Sequence, residues 1–339
     1  MELHNLGRTG VRVSPLCLGC MMFGGKTSPE DSYKIIDRAI SAGINFLDTA
    51  NVYNDGNSEE VTGEALKRNG HRHHIVLATK VHGNMHKGDT LDPNQWGNSR
   101  RQIMEQCDAS LKRLKTDWID LYQIHRPHVD CPIDETLRAL DDLIRVGKVR
   151  YIGTSTFAAW QVVESLWVSD RQHLNRFVTE QPPYNLLDRR IERELLPMLK
   201  TYGFGVIPWS PLAGGFLSGK YKREGQQPTD GRYSDGTHFR ANKMIGNERA
   251  YDAVEAIQAL AKEKGCTISQ FALAWVMQRD GITSPIIGPR TFEQFEDNLM
   301  AMEVKLTDED RKRLDEICPP GGMIVPFYEA NFGPQPHHW

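Results

Sequence analysis

The stretch INFLDTANVYNDGNSEEVTGEALKRNGHRHHIVLATK (residues 44–80) reads as one strand, one helix and a second strand. INFLDT (44–49) and HIVLATK (74–80) are short, nearly continuous apolar runs, the pattern of strands buried on both faces. Residues 58–69 between them carry helical periodicity. Working outward, the alternation continues almost without a break. PLCLGC (15–20) precedes, and WIDLYQIH (118–125), VRYIGTS (149–155), FVTEQ (177–181), GVIPWS (205–210) and SPIIG (284–288) follow. Helical patterns occupy 29–42, 99–114, 135–146, 157–170 and 190–202, with a longer pair across 248–279. Another helix opens at Thr291, an N-cap before an acidic first turn. Eight strands in strict alternation with helices predict a parallel sheet, and the count fits closure into a (β/α)8 TIM barrel.

Three pieces lie outside that count. GRTGVRVSPL (7–16) reads as a hairpin capping the barrel's lower end. Residues 218–247 form a long polar loop after strand seven, of the length that is usually functional or disordered. A last helix follows Leu306, and then a C-terminal tail, 317–339, that ends rich in aromatic residues. With no internal repeat and no linker, residues 1–339 are expected to form a single domain.

Composition narrows the class. The chain has 339 residues, 39% hydrophobic and 25% charged, as a soluble globular enzyme has. A net charge of -3 gives no reason to expect nucleic acid or an anionic membrane as partner. No apolar run is long enough to span a bilayer, and the N-terminus lacks the apolar core of a signal peptide. The six cysteines (17, 20, 107, 131, 266 and 318) are read as reduced thiols, which places the chain in the cytoplasm. Oligomeric state cannot be read at this level.

The chemistry collects at strand ends. Asp48 and Tyr53 follow strand two, Lys80 ends strand three and His125 ends strand four. Barrel enzymes carry their active sites on that face, so the four residues are expected to converge. A free phenol titrates near 10, and bringing one to about 7 needs roughly 4 kcal/mol of preferential phenolate stabilisation. A partly buried ammonium within hydrogen-bond range supplies much of that. Lys80 is the expected ammonium, Asp48 its anchor, and His125 a donor toward a carbonyl.

FLDTANVY, the ATK strand end and the YQIH strand end, in this order, resemble the signature blocks of the aldo-keto reductase family. The resemblance runs from about residue 5 to about 316. It implies reduction of a small aldehyde or ketone by hydride from NAD(P)H without a metal, with Tyr53 as general acid, Lys80 and Asp48 tuning it, and His125 orienting the carbonyl. It also implies cofactor contacts: Gly19, Cys20 and Met21 beside the nicotinamide, Ser155, Thr156 and Gln181 at its carboxamide, and Trp209 stacked on its ring. Thr156 stands where the family usually has Asn, and offers a hydroxyl in place of an amide. Ser210, Leu212, Gly214 and Lys220 would line the pyrophosphate. Gly288, Arg290, Gln294 and Asn298 would hold the adenosine end. Arg290, near a helix N-terminus, suits a 2′-phosphate, so NADPH is the expected coenzyme. Met22, Trp96, Arg126 and Pro127 are expected to wall the substrate pocket. The branch resembled holds general bacterial aldo/keto reductases and potassium-channel beta subunits, so an NADPH-binding regulator with little turnover is the alternative.

Two other motifs fail on chemistry. GGFLSGK (214–220) matches the first seven positions of a phosphate loop, but Tyr221 replaces the Ser or Thr that binds Mg²⁺. His71, His73 and His74 sit in a polar loop at the opposite barrel end with no acidic or Cys partner, and are read as solvated.

Overall fold

The computed structural model describes residues 1–85, 92, 94–224, 227–229, 231 and 241–327. Two short antiparallel strands, β1 (His4–Asn5) and β2 (Arg12–Val13), open the chain. Eight parallel strands follow: β3 (Cys17–Gly19), β4 (Phe46–Asp48), β5 (Val76–Val81), β6 (Ile119–Ile124), β7 (Val149–Ser155), β8 (Thr179–Gln181), β9 (Gly205–Val206) and β10 (Ile286–Ile287). Their order in the sheet is β10-β3-β4-β5-β6-β7-β8-β9. The ring is completed between β9 and β10 by three amides: Thr283 and Ser284 donate to Val206 O, and Ile286 donates to Pro208 O at 2.9 Å. The fold is therefore the expected (β/α)8 barrel.

Helices cover the outside: α1 (Pro29–Ser41), α2 (Asn57–Asn69), α3 (Arg100–Leu114), α4 (Ile133–Arg145), α5 (Ala159–Gln172) and α6 (Leu195–Tyr202). After β9 come the short α7 (Ala241–Met244), then α8 (Glu248–Glu263) and α9 (Ile268–Met277), and after β10 come α10 (Phe292–Leu299) and α11 (Asp308–Ile317). Local sequence sets their ends. Ser28 caps α1 ahead of Pro29, Ser99 caps α3, and Thr267, Thr291 and Thr307 cap α9, α10 and α11 through their side-chain oxygens.

Three boundaries differ from the sequence reading, each for a local reason. The strand expected over 205–210 keeps continuous ladder pairing at Gly205–Val206 and resumes as a single bridge from Trp209 to Pro183, because Pro208 has no N–H and Ser210 turns to φ 54. The helix expected from 157 starts at Ala159, because Thr156 is left-handed (φ 63) and the Phe157 amide is bound to Glu180. The helix expected over 190–202 divides into a 3-10 turn, Arg190–Glu192, and α6, which carries Pro197 in a first turn that needs no donor there.

Side chains alternate across each strand, so every second residue enters the barrel. In the lower interior, Cys17, Phe46, Ala78, Leu121, Val178, Ile207 and Ile286 form one apolar cluster with Leu6 and Val13 of the hairpin. The hairpin thus plugs the lower mouth, as expected. Gly7 is a site of close approach: a Cβ there would lie 2.5 Å from the Gly205 nitrogen. One step up, the same alternation places Asp48, Lys80 and Gln123 inside, Gln181 of β8 joins them, and the packing turns polar. That change of character along the barrel axis positions the site. The expected loop 218–247 is described only in part, and residues 328–339 of the expected aromatic tail lie outside the described residues.

Candidate active site

Lys80 is fully buried and its ammonium has three partners. It donates to Asp48 Oδ1 at 2.5 Å, to the Thr49 carbonyl at 2.8 Å and to Tyr53 Oη at 3.3 Å. Burial alone would push this ammonium down, but the Asp48 carboxylate and the Tyr53 oxygen outweigh it, and the net shift is upward. Lys80 therefore stays charged. Asp48 Oδ2 accepts from Gln123 Nε2 and Gln181 Nε2, both at 3.0 Å, which holds the carboxylate in one orientation. Gln181 also donates to Gln123 Oε1, so its own Oε1 is the part of the amide that accepts no hydrogen bond among the described residues.

Tyr53 begins a 3-10 turn (Tyr53–Gly56) whose next residues, Asn54 and Asp55, are left-handed. Asn suits that conformation. Its amide donates to the Met21 and Phe23 carbonyls at 2.9 and 2.8 Å, tying the loop after β3 to the loop that carries the phenol. His125 meets the Tyr53 ring edge-on, with ring centroids 5.6 Å apart. Burial, then the nearby Arg126 and Lys80 cations, hold its imidazole well below the ordinary 6.5. It is a neutral donor at physiological pH.

These groups stand at one end of a cavity of about 400 Å³ that runs across the upper mouth of the barrel. Its lining takes in Asp48, Tyr53, His125, Gly19, Met21, Met22, Arg126 and Gln181 near the phenol. Trp209, Ser210, Leu212, Gly214 and Lys220 follow along the middle, and Gly288, Arg290, Gln294 and Asn298 stand on the β10 side. Six expected residues are not in that lining. Lys80 lies behind Tyr53, and Cys20 is buried in the loop after β3. Ser155 donates to the Gln181 carbonyl at 2.9 Å, and Thr156 accepts from Arg126 Nη1 at 2.8 Å. Trp96 packs on His128 in a tilted arrangement, with centroids 4.6 Å apart, and Pro127 adjoins Arg126 in the chain.

Several contributors were missed from sequence. Gln123 sits two residues before His125, on the same face of β6, and a glutamine inside an apolar strand was the available signal. Lys26, Ser269 and Asp297 also line the cavity, from loops and helices with no local mark of it, while Ser218 lines it from the start of the long loop after β9. Glu180 is buried between β8 and the start of α5, where its Oε1 accepts the Phe157 amide at 3.1 Å. Burial pushes its carboxyl up to about 8. Cys17 and Cys20 have the C-x-x-C spacing, yet both are buried and free. Burial raises both thiols, Cys20 to about 12, the reverse of a reactive pair.

Residues 15–319 match the model of the Aldo/keto reductase family. The chain belongs to the aldo/keto reductase family. This aldo/keto reductase is 41% identical over 97% of its length to the uncharacterized oxidoreductase YrpG of Bacillus subtilis, covering 99% of that protein. It is 36% identical to a probable voltage-gated potassium channel subunit beta of Oryza sativa, over 90% of this chain and 92% of that one. It is 35% identical to versiconal hemiacetal acetate reductase of Aspergillus parasiticus, over 93% and 96%. The family makes it an NAD(P)H-dependent oxidoreductase that interconverts small carbonyl compounds and alcohols. Among the described residues no helix is long and apolar enough to cross a membrane, and no group of three or more His, Cys, Asp or Glu could hold a metal ion. His73 packs on Trp118 at 4.9 Å and none of the three loop histidines is buried.

Proposed function

We propose that this reductase converts an aldehyde or ketone to the alcohol with NADPH, and that Tyr53 is the general acid. The observation that carries the reading is the chain Asp48–Lys80–Tyr53, a buried ion pair ending at a phenol on the cavity wall. When bound, NADPH supplies the hydride to the carbonyl carbon. The Tyr53 hydroxyl delivers a proton to the carbonyl oxygen, and the Lys80 ammonium, 3.3 Å away, stabilises the negative charge left on Oη. Asp48 holds that ammonium in place. Neutral His125 donates one N–H to the carbonyl oxygen and so fixes which face meets the hydride.

The donor chemistry along the cavity supports a nicotinamide dinucleotide. Trp209 offers an aromatic face to the nicotinamide, and Gln181 offers an oxygen for its carboxamide, with the buried Ser155 and Thr156 behind it. Gly19 and Met21 form the wall beside the ring, with Cys20 buried between them in the chain. Gly214 is left-handed (φ 66), and with Ser210, Leu212 and Lys220 it forms a loop suited to a diphosphate. A Cβ at Gly288 would meet nothing within 4 Å, so the backbone is open to an adenosine there. Gln294 Oε1 accepts the Arg290 amide at 2.9 Å, which leaves its NH₂ group to face the base, near Asn298. Arg290 precedes the N-terminus of α10 and favours the 2′-phosphate. Met22 and Arg126 of the cavity wall, with Trp96 and Pro127 beside them, would take the substrate.

The test is initial-rate oxidation of NADPH with 4-nitrobenzaldehyde, with a chelator present and NADH in parallel. Chelator-resistant turnover that prefers NADPH is expected. NADPH binding without consumption across a panel of aldehydes and ketones would mark the chain instead as a coenzyme-binding regulator.

A further inference from the structure

Helix α5 carries Trp160, Glu164, Trp167 and Arg171 at spacings of four, three and four, which is a single stripe along the helix. All four are exposed, and the two tryptophans are 45% and 59% exposed. The opposite face, with Val162, Ser165, Val168 and Ser169, is buried against the barrel. Isolated surface hydrophobics need no explanation, but two tryptophans two turns apart on one stripe form a patch. Tryptophan and arginine are the side chains most enriched where interfaces hold their binding energy.

The charges say what covers the patch. Glu164 and Arg171 stand on either side of Trp167, and seven residues separate them by about 10 Å along the axis, too far to pair within the helix. Arg171 lies over its own Trp167 ring at 5.3 Å, and among the described residues neither charge forms an ion pair. We propose that this stripe is the isologous interface of a homodimer, with α5 packed antiparallel on α5 of a second copy. A two-fold axis beside Trp167 sets each Glu164 against the other copy's Arg171 and joins the two Trp167 rings at the centre. Trp160 then covers the turn at His173 and Leu174 of the second copy. A stripe with an aromatic centre and opposite charges on either side is complementary to itself only under such an axis.

Sedimentation velocity of the full chain, from nanomolar to tens of micromolar, tests this. The expected species has twice the 38.5 kDa chain mass, and Trp167→Glu is expected to sediment as a single chain. Glu164→Arg or Arg171→Glu alone creates two like-charge pairs by symmetry and is expected to weaken the dimer about tenfold or more. Together the two reversals recreate both pairs and restore it. Far-UV circular dichroism and NADPH turnover check folding, since the stripe is exposed, and the charge reversals decide if Trp167→Glu does not fold. A wild-type chain that stays monomeric overturns the proposal, as it would if another protein used this face. A dimer indifferent to all three single substitutions, or one the double reversal does not restore, overturns it too.

Discussion

Tyr53, Lys80 and Asp48 are joined in a line by hydrogen bonds, so under the proposed mechanism substitutions along it should fail in different ways. Tyr53→Phe removes the proton and leaves the ring that His125 packs against. We predict a fall in kcat of about a hundredfold to ten-thousandfold, the range expected for loss of a general acid. NADPH affinity, measured by fluorescence titration, should hardly move. Unchanged turnover would remove Tyr53 from the mechanism. At the other end of the cavity, Arg290→Ala should weaken NADPH by about tenfold to a hundredfold, the worth of a charged hydrogen bond. NADH affinity should barely change, and equal losses for both coenzymes would mean that Arg290 does not read the 2′-phosphate.

At the scale of the element, the strand ends did most of the work of prediction. Asp48, Lys80 and His125 could be placed because each closes an apolar run, and the barrel puts all such ends on one face. Gln123 and Asn54 could not be placed that way. Their roles exist only once β6 faces Asp48 and the Tyr53 turn meets the loop after β3, contacts across 75 and more than 30 residues. Pro208 and Thr156 show the same limit for boundaries, where one residue's backbone interrupted a strand or delayed a helix that periodicity would have run on. Glu180 shows it for charge, since nothing in FVTEQ marks which polar side chain turns outward under a helix. Its raised carboxyl makes a testable element-level statement. Between 4.5, its ordinary value, and about 8, the unfolded chain releases this proton while the folded one keeps it. Its stabilising effect is full below 4.5 and fades as pH rises toward about 8. Glu180→Gln, which keeps the shape and cannot ionise, should therefore gain in Tm over wild type steadily across that window. His125, held low, acts in the opposite sense and costs stability as pH falls below 6.5 in both proteins. Parallel Tm–pH curves for the two proteins would show that Glu180 ionises freely.

At the scale of the molecule, the ring of strands is unevenly tied. Between β6 and β7 the register runs from Ile119 opposite Val149 to Ile124 opposite Thr154. Between β9 and β10, among the described residues, the join rests on the amides of Thr283, Ser284 and Ile286 and on one bond from the Val206 amide to Thr283 Oγ1. The cavity crosses that gap, with Trp209, Ser210 and Leu212 on one bank and Ile287, Gly288 and Arg290 on the other. A dinucleotide lying there would touch both banks, and a ligand that binds only the closed arrangement protects it by mass action. Loading the coenzyme and quieting the barrel's own breathing then become one event. Hydrogen–deuterium exchange should slow at Thr283, Ser284 and Ile286 when NADP⁺ is added, while Leu121 and Ile152 in the well-tied half keep their rates. Uniform slowing, or none, would mean that the weakest join is not the clasp. If the join is the clasp, an empty barrel opens along one line, and that line is where heat and proteases should first find it.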